Sequence, residues 1–253
     1  MSGLVVKVIA VTKFIGVPDE LTDEGIKDTQ DKGSDIARLI ECAGRTCYDS
    51  YGVGRDSAKY HDHIKEVGHG SVTEHGCISF YLDGVSRGLT HELVRHRHSN
   101  ISQRSTRYVD ESESDWALHP LITKYADRLN INSIKLTIEL CKQEYKMCAD
   151  ALERALIGDG IDKVNARKQA RGAARGLLGN ALTSAMVWTC NIRSLRNFFE
   201  QRCSQFADAE IRLCANRIFE AALAIVPEFF NDYEKVACPD NIGFGVVTKY
   251  RKI

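Results

Sequence analysis

The chain predicts an α/β protein of the α+β type, a single mixed domain over residues 1–253 with a small central sheet flanked by long helices. Three observations predict it. Residues 77–82 alternate, with apolar Ile78, Phe80 and Leu82 set between Cys77, Ser79 and Tyr81, the two-residue period of a strand. Residues 133–156 repeat apolar side chains at helical spacing instead (Ile134, Leu136, Leu140, Tyr145, Met147, Cys148, Leu152). Few prolines, no low-complexity stretch and no internal repeat interrupt the chain, so no domain boundary shows.

In chain order, the opening MSGLVVKVIAVTKF is short, β-branched and carries a lysine, so it reads as a first strand rather than a signal peptide. Residues 33–47 place Ile36, Leu39, Ile40 and Ala43 on one helical face, with Ser34 or Asp35 as the cap. A short helix over Ser57–Val67 precedes the strand at Cys77. Ser86–His96 reads as a helix on Val85, Leu89, Leu93 and Val94, and an irregular segment follows it. An acidic connector, Asp110–Asp115, comes next. Beyond the long helix, Val164–Leu178 is a second, alanine-rich one, and Ala181–Cys190 is apolar and β-branched enough for a strand. Helices over Leu195–Phe206 and Ala207–Phe230 close the fold, with Pro227 near the end.

Composition narrows the class. Hydrophobic residues at 43% with 27% charged are ordinary for a soluble globular protein, and no apolar run nears the ~20 residues of a membrane span. Net charge is zero and the pI about 7.1, so any basic site is local; general nucleic-acid and anionic-membrane binders are disfavoured. Nine scattered cysteines without a CxxC pair read as buried small hydrophobes in a reducing compartment, which points to the cytoplasm.

One stretch stands apart. Arg95–Arg107 holds four arginines (Arg95, Arg97, Arg104, Arg107), two histidines (His96, His98) and no carboxylate. Like charges so close repel unless water or an anion separates them, and guanidinium is shaped to grip phosphate through paired hydrogen bonds. Ser99, Asn100, Ser102, Gln103, Ser105 and Thr106 add short donors and acceptors. A solvated basic loop is the plain alternative. The predicted helix argues for a mount, because His91, Glu92 and Arg95 would share one face of it.

A second stretch begins at Asn191. Leu195, Phe198, Phe199 and Phe206 mark a buried stripe, and Arg202 falls along it at three, four and seven residues from its members. A buried guanidinium must be paired or meet a ligand, and Asp208 or Glu210 is the structural choice. Arg167, Arg171 and Arg175 form a third set, four apart on the alanine-rich helix, where a solvated face is the usual reading.

Arg95-His96-Arg97, seven residues and then Ser105 resemble the signature of the flavin-dependent thymidylate synthases, and Arg107 and Tyr108 continue it. NIRSLRNFFEQR, from Asn191 to Arg202, is similar to that family's C-terminal conserved region. His69, Ser71, Glu74 and His75 resemble its H-x-S/T-x-x-E-H element; a polar loop before a strand is the other reading of those residues.

The resemblance implies reductive methylation of dUMP to dTMP, with 5,10-methylenetetrahydrofolate as carbon donor and NADPH as reductant through FAD. It implies a homotetramer with shared active sites. For FAD it implies Ser71, Arg95, His96, Arg97, Gln103, Asn191, Arg193 and Asn197, with His69 near the flavin ring. For dUMP it implies Glu92, Arg95, Gln103, Arg104, Ser105, Thr106, Arg107, Arg175 and Arg202. Arg175 is the least anchored, since it rests on standing sixteen residues before Asn191. Arg202 is the implied catalytic residue, contacting the uracil ring. Gln103 stands where many members carry Glu, Glu92 where many carry Gln, and Phe206 where His is frequent. Phe206 can stack but not hydrogen-bond, so the folate contacts carry over least.

Competing chemistries find little. His91, Glu92 and His96 give HExxxH, whose histidines lie about 140° apart on a helix and cannot share a metal. GxGxxG, the phosphate-binding glycine loop and the nucleophile elbow are absent. A non-catalytic nucleotide- or RNA-binding module is the alternative of a different class, but residues 95–107 hold no aromatic for a base to stack on.

Overall fold

Apolar period sorts strand from helix along most of the chain. The computed structural model describes residues 3–18, 20, 33–51 and 54–250; the first two residues of the expected leading strand lie outside them. Strands β1 (Val5–Val11), β2 (Cys77–Ser86), β3 (Ser99–Gln103) and β4 (Thr183–Asn191) form one sheet in the order β1-β2-β4-β3. The mixed class with a small sheet and long helices is therefore as expected. The chain divides into two compact units, each of several segments.

The first unit takes the described parts of Met1–Val5, Leu82–Val94 and Ser102–Met186. It holds α3 (Arg87–Leu93), the short α4 (Pro120–Lys124), α5 (Ile131–Gly158) and α6 (Lys163–Ala174). Ala166, Ala170 and Ala174 are the buried residues of α6; with no side chain beyond Cβ they let α5 approach closely. Of the 28 residues of α5 only Tyr145 and Ala149 are buried.

The second unit takes the described parts of Val6–Tyr81, Arg95–Ile101 and Val187–Ile253. In it α1 (Asp35–Tyr48) is capped by Ser34, whose hydroxyl accepts from Ala37 N at 3.2 Å. Then come α2 (Ser57–Val67), ended by Gly68 in the left-handed region at φ 71°, and a 3₁₀ turn over Gly70–His75. Both helices match the sequence reading. α7 (Ile192–Arg202) and α8 (Ala209–Ile225) follow. Phe80, Trp188, Phe198, Phe199, Phe219, Phe229 and Phe230 form an aromatic core; each such ring contributes roughly 1.5–3 kcal/mol on burial.

The structure corrects four expectations. α3 stops at Leu93 instead of His96, so Arg95 leaves the face of His91 and Glu92. Ser99 Oγ donates to His96 O at 2.6 Å, a local bond that competes with helix propagation. The segment that follows is a strand, β3, rather than irregular; Ile101 is its single strongly apolar residue, so its period was too faint to read. The final helix ends at Ile225, and after it an antiparallel hairpin pairs β5 (Glu234–Ala237) with β6 (Phe244–Val247), which no periodic signal announces.

Glu41 and Arg45 of α1 and His61 and Lys65 of α2 are all buried. Arg45 donates to Glu41 at 2.7 Å and to the carbonyls of Ser50 and Arg55. His61 Nε2 lies 3.1 Å from Ala37 O, and burial lowers its pKa although Glu41 works the other way. Below about pH 6.5 the unfolded chain therefore binds a proton that the folded chain resists, so stability falls as pH drops through that value. We expect the melting temperature to decline from pH 7 to pH 5.5 and His61→Gln to flatten that slope. An unchanged slope in the variant would assign the decline to another group.

Candidate functional site

In the second unit the arginine signature splits by side chain. Arg95 and Arg97 are exposed, whereas His96 turns inward and stands edge-on to Phe198, ring centroids 5.0 Å apart. Phe198 in turn rests on Trp188 at 4.8 Å. Arg202, from the last turn of α7, donates Nε–H to His96 Nε2 at 3.1 Å. Arg202 is half-buried, and His96 is a partner for it that the sequence did not offer. Burial first, then the Arg202 charge, push the His96 pKa down to about 4, so the ring is neutral at pH 7.

The fully buried arginine of α7 is Arg196, which the sequence reading passed over. It holds Asp232 through two bonds of 2.8 Å and donates to Phe229 O at 2.5 Å. Its distance of three residues from both Phe199 and Arg193 gave no hint, because its partner is 36 residues away.

A cleft of about 390 Å³ in the same unit is lined by Glu74, His98, Asn191, Arg193, Ser194 and Asn197. Asn191 caps α7, its Oδ1 accepting from Ser194 N at 2.8 Å, so what it can offer a ligand is its amide NH₂. Asn197 Oδ1 accepts from Gln201, and Arg193 is paired with Glu74 at 2.6 Å. Three of the residues implied for FAD thus line one cleft, and Glu74, His98 and Ser194 are additions to that set. Ser71 is exposed on the same 3₁₀ turn as Glu74. At the head of that turn His69 stacks on Tyr48, centroids 5.5 Å apart and planes 16° from parallel.

The other arginines singled out in the sequence lie in the first unit. Arg104 Nη2 donates to Thr183 O at 2.8 Å and to buried Glu111 at 3.2 Å, while its buried Nε has no hydrogen-bond partner. Arg175 lies beyond the end of α6, exposed, with Nη1 3.4 Å from Thr106 Oγ1. Arg107 is exposed and runs beside Gly172. Arg171 ties the loop down through Tyr108 O at 2.6 Å and Asp110 at 3.0 Å, and Arg167 pairs with Glu153. The three-arginine stripe is therefore not one solvated face.

Arg87 completes this cluster and was missed, since at the head of α3 it read as one more polar residue of an amphipathic helix. Burial lowers its pKa, Glu111 raises it, and the charges of Arg175 and Arg104 lower it further. Gln103 Nε2 donates to Thr90 Oγ1 at 3.0 Å and to Ser184 Oγ at 3.1 Å, so its amide orientation is set. Ser105 is half-buried and Thr106 buried, and Glu92 stands in the last turn of α3. No group of three or more His, Cys, Asp or Glu fit to hold a metal occurs among the described residues, and no described helix is long and apolar enough to cross a membrane.

Comparison with known proteins agrees with the motifs. The family described as "Thymidylate synthase complementing protein" matches residues 30–228. The chain is 37% identical over 244 residues to a flavin-dependent thymidylate synthase of Mycolicibacterium gilvum, covering 95% of this chain and 94% of that one. It is 38% identical over 239 residues to the one of Mycobacterium tuberculosis (strain H37Rv), covering 93% and 92%. A crystal structure of Thymidylate Synthase X (ThyX) from Helicobacter pylori, solved with FAD and dUMP, shares the fold with a TM-score of 0.55 at 20% identity, covering 90% of this chain and 99% of that one. On the family match and the extent of these relatives, the chain belongs to the thymidylate synthase complementing protein family, that of the flavin-dependent thymidylate synthases.

Proposed function

We propose that this chain converts dUMP to dTMP, taking the carbon from 5,10-methylenetetrahydrofolate and the reducing equivalents from NADPH through FAD. The observation that carries the reading is the cation cluster of Arg87, Arg104 and Arg175, faced by the carboxylate of Glu111. Such an excess of guanidinium, half-buried at Arg87 and Arg104 and exposed at Arg175, suits a dianionic phosphate. Arg107, Ser105 and Thr106 extend that phosphate subsite. In this reading, binding energy spent on the phosphate orients the pyrimidine.

The polar cleft at Asn191, Arg193 and Asn197 fits the nucleotide end of FAD, with amide and guanidinium donors and no glycine turn. Ser71, Arg95, His96 and Arg97 belong to the same assignment, and His69 lies near the flavin ring. Bound FAD supplies the redox chemistry that no side chain provides. Glu92 and Gln103 read the base, the Gln103 amide being held by Thr90 and Ser184. Arg202 stabilises negative charge that develops on the pyrimidine. No cysteine nucleophile is invoked, and burial pushes the thiols of Cys190, Cys203 and Cys214 up to about 12, away from the reactive thiolate.

The active form is a homotetramer with shared sites, in the cytoplasm and without nucleic-acid or membrane partners. Self-association is supported by α5, where Leu136, Leu140 and Met147 are exposed along one side. Light scattering of the purified chain should give the mass of four copies, and a monomer would remove that part.

The test of the reaction is direct. Purified protein should be yellow, and its reduced flavin should reoxidise faster on adding dUMP and the folate. Colourless protein that binds RNA would favour the module reading instead. Arg175→Ala should raise KM for dUMP by about 10- to 100-fold with little change in kcat, as loss of a charge-assisted phosphate contact predicts.

A further inference from the structure

We propose that His96 is a positioning residue for Arg202, and that it acts as the neutral imidazole with its proton on Nδ1. Three observations in the second unit carry this. Arg202 Nε lies 3.1 Å from His96 Nε2, and a guanidinium has only donors, so Nε2 must present its lone pair. With Nε2 as acceptor, the proton of a neutral ring sits on Nδ1. Second, the ring is wedged edge-on against Phe198, whose other neighbours are Trp188 and Phe199, so its plane is set by a packed core. Third, burial and the neighbouring guanidinium keep the ring neutral far below pH 7.

The consequence is geometric. Nε–H of Arg202 is committed to His96, so its terminal nitrogens are what it can aim at a substrate. A lone pair fixed by the core thus helps to set the plane of the guanidinium, which is how a supporting group makes a site rigid. This also explains why the histidine lies between two arginines: His96 turns into the core while Arg95 and Arg97 stay exposed. The catalytic half of the inference rests on the reaction proposed above; the tautomer and the contact do not.

The experiment has two arms. Nitrogen NMR of the holoenzyme with ¹⁵N-labelled histidine should show His96 with a protonated Nδ1 and a bare Nε2 at pH 7, and Arg202→Ala should return it toward the Nε2–H form that free imidazole favours. An Nε2–H form in the wild-type chain would overturn the contact. In turnover at saturating FAD, His96→Leu should lower kcat by about 10- to 100-fold with KM for dUMP nearly constant, while His96→Gln, whose carbonyl can accept from Nε, should recover part of that loss. At saturating FAD, adding His96→Leu to Arg202→Ala should cost kcat nothing further, because in aiming the guanidinium the two act as one unit. If His96→Gln falls as far as His96→Leu, or if the losses multiply in the double variant, the positioning role is overturned. A wild-type chain that makes no dTMP but keeps the Nδ1–H form would overturn the reaction and still support the contact.

Discussion

Arg202→Ala is expected to retain fold and flavin and to lose about 10²- to 10³-fold in kcat for dTMP formation, the scale of removing one aimed electrostatic donor. Its KM for dUMP should change less, since the phosphate is gripped in the proposed reading by other arginines. The fold should tolerate the change: Arg202 is half-buried at the end of α7, and its loss leaves His96 Nε2 as a neutral acceptor. Losing that bond costs on the order of 1 kcal/mol. Arg202→Lys keeps the charge but not the planar Nε–H directed at His96, and should fall between alanine and wild type. Single-turnover kinetics with dUMP and folate will decide, and wild-type rates for the alanine variant would strip Arg202 of its catalytic role.

The largest expected effect on stability lies elsewhere, at Arg196. Its side chain is 0% exposed and that of Asp232 5%, and two parallel 2.8 Å bonds join them. Thr248 Oγ1 also donates to Asp232, and Lys65 Nζ lies 4.0 Å away. Burial works to raise the Asp232 pKa, but the hydrogen bonds and charge of Arg196 outweigh it, and the net shift is downward. Arg196→Met removes the cation and strands the carboxylate, at a cost of about 3–5 kcal/mol. For a chain of this size that is roughly 10 °C of melting temperature. Arg196→Met combined with Asp232→Leu should recover much of the loss, because no unpaired charge then remains. Thermal denaturation of both variants tests it; a double variant as unstable as the sum of the singles would refute the pairing account.

The same shift has a pH sign. A carboxylate whose folded pKa is depressed contributes its stability above the unfolded value of about 3.9, and loses it as pH falls toward the folded value. His61 acts earlier, below about pH 6.5, so acid denaturation should proceed in two steps.

Much of the fold could be read from local periodicity. α1 with its Ser34 cap, α2 to its last residue, β2 and the long α5 each follow from apolar spacing of 3.6 or 2 and from one capping hydroxyl. β3 could not, because a strand with one strongly apolar residue is defined by the ladder it joins. The β5–β6 hairpin was hidden likewise: four-residue strands are too short to show a period.

The sequence by itself determined the family, because a signature such as Arg95-His96-Arg97 with Ser105 is a matter of residue type and spacing, which no folding alters. It also determined that arginines are concentrated in a few segments. Only the tertiary structure decided which arginine does what. Arg196 is buried on Asp232, Arg202 is held by His96, and Arg87 joins Arg104 and Arg175. The physical reason is that a guanidinium's role depends on the acceptors and charges within a few ångströms, and here those come from positions 36 and 106 residues away.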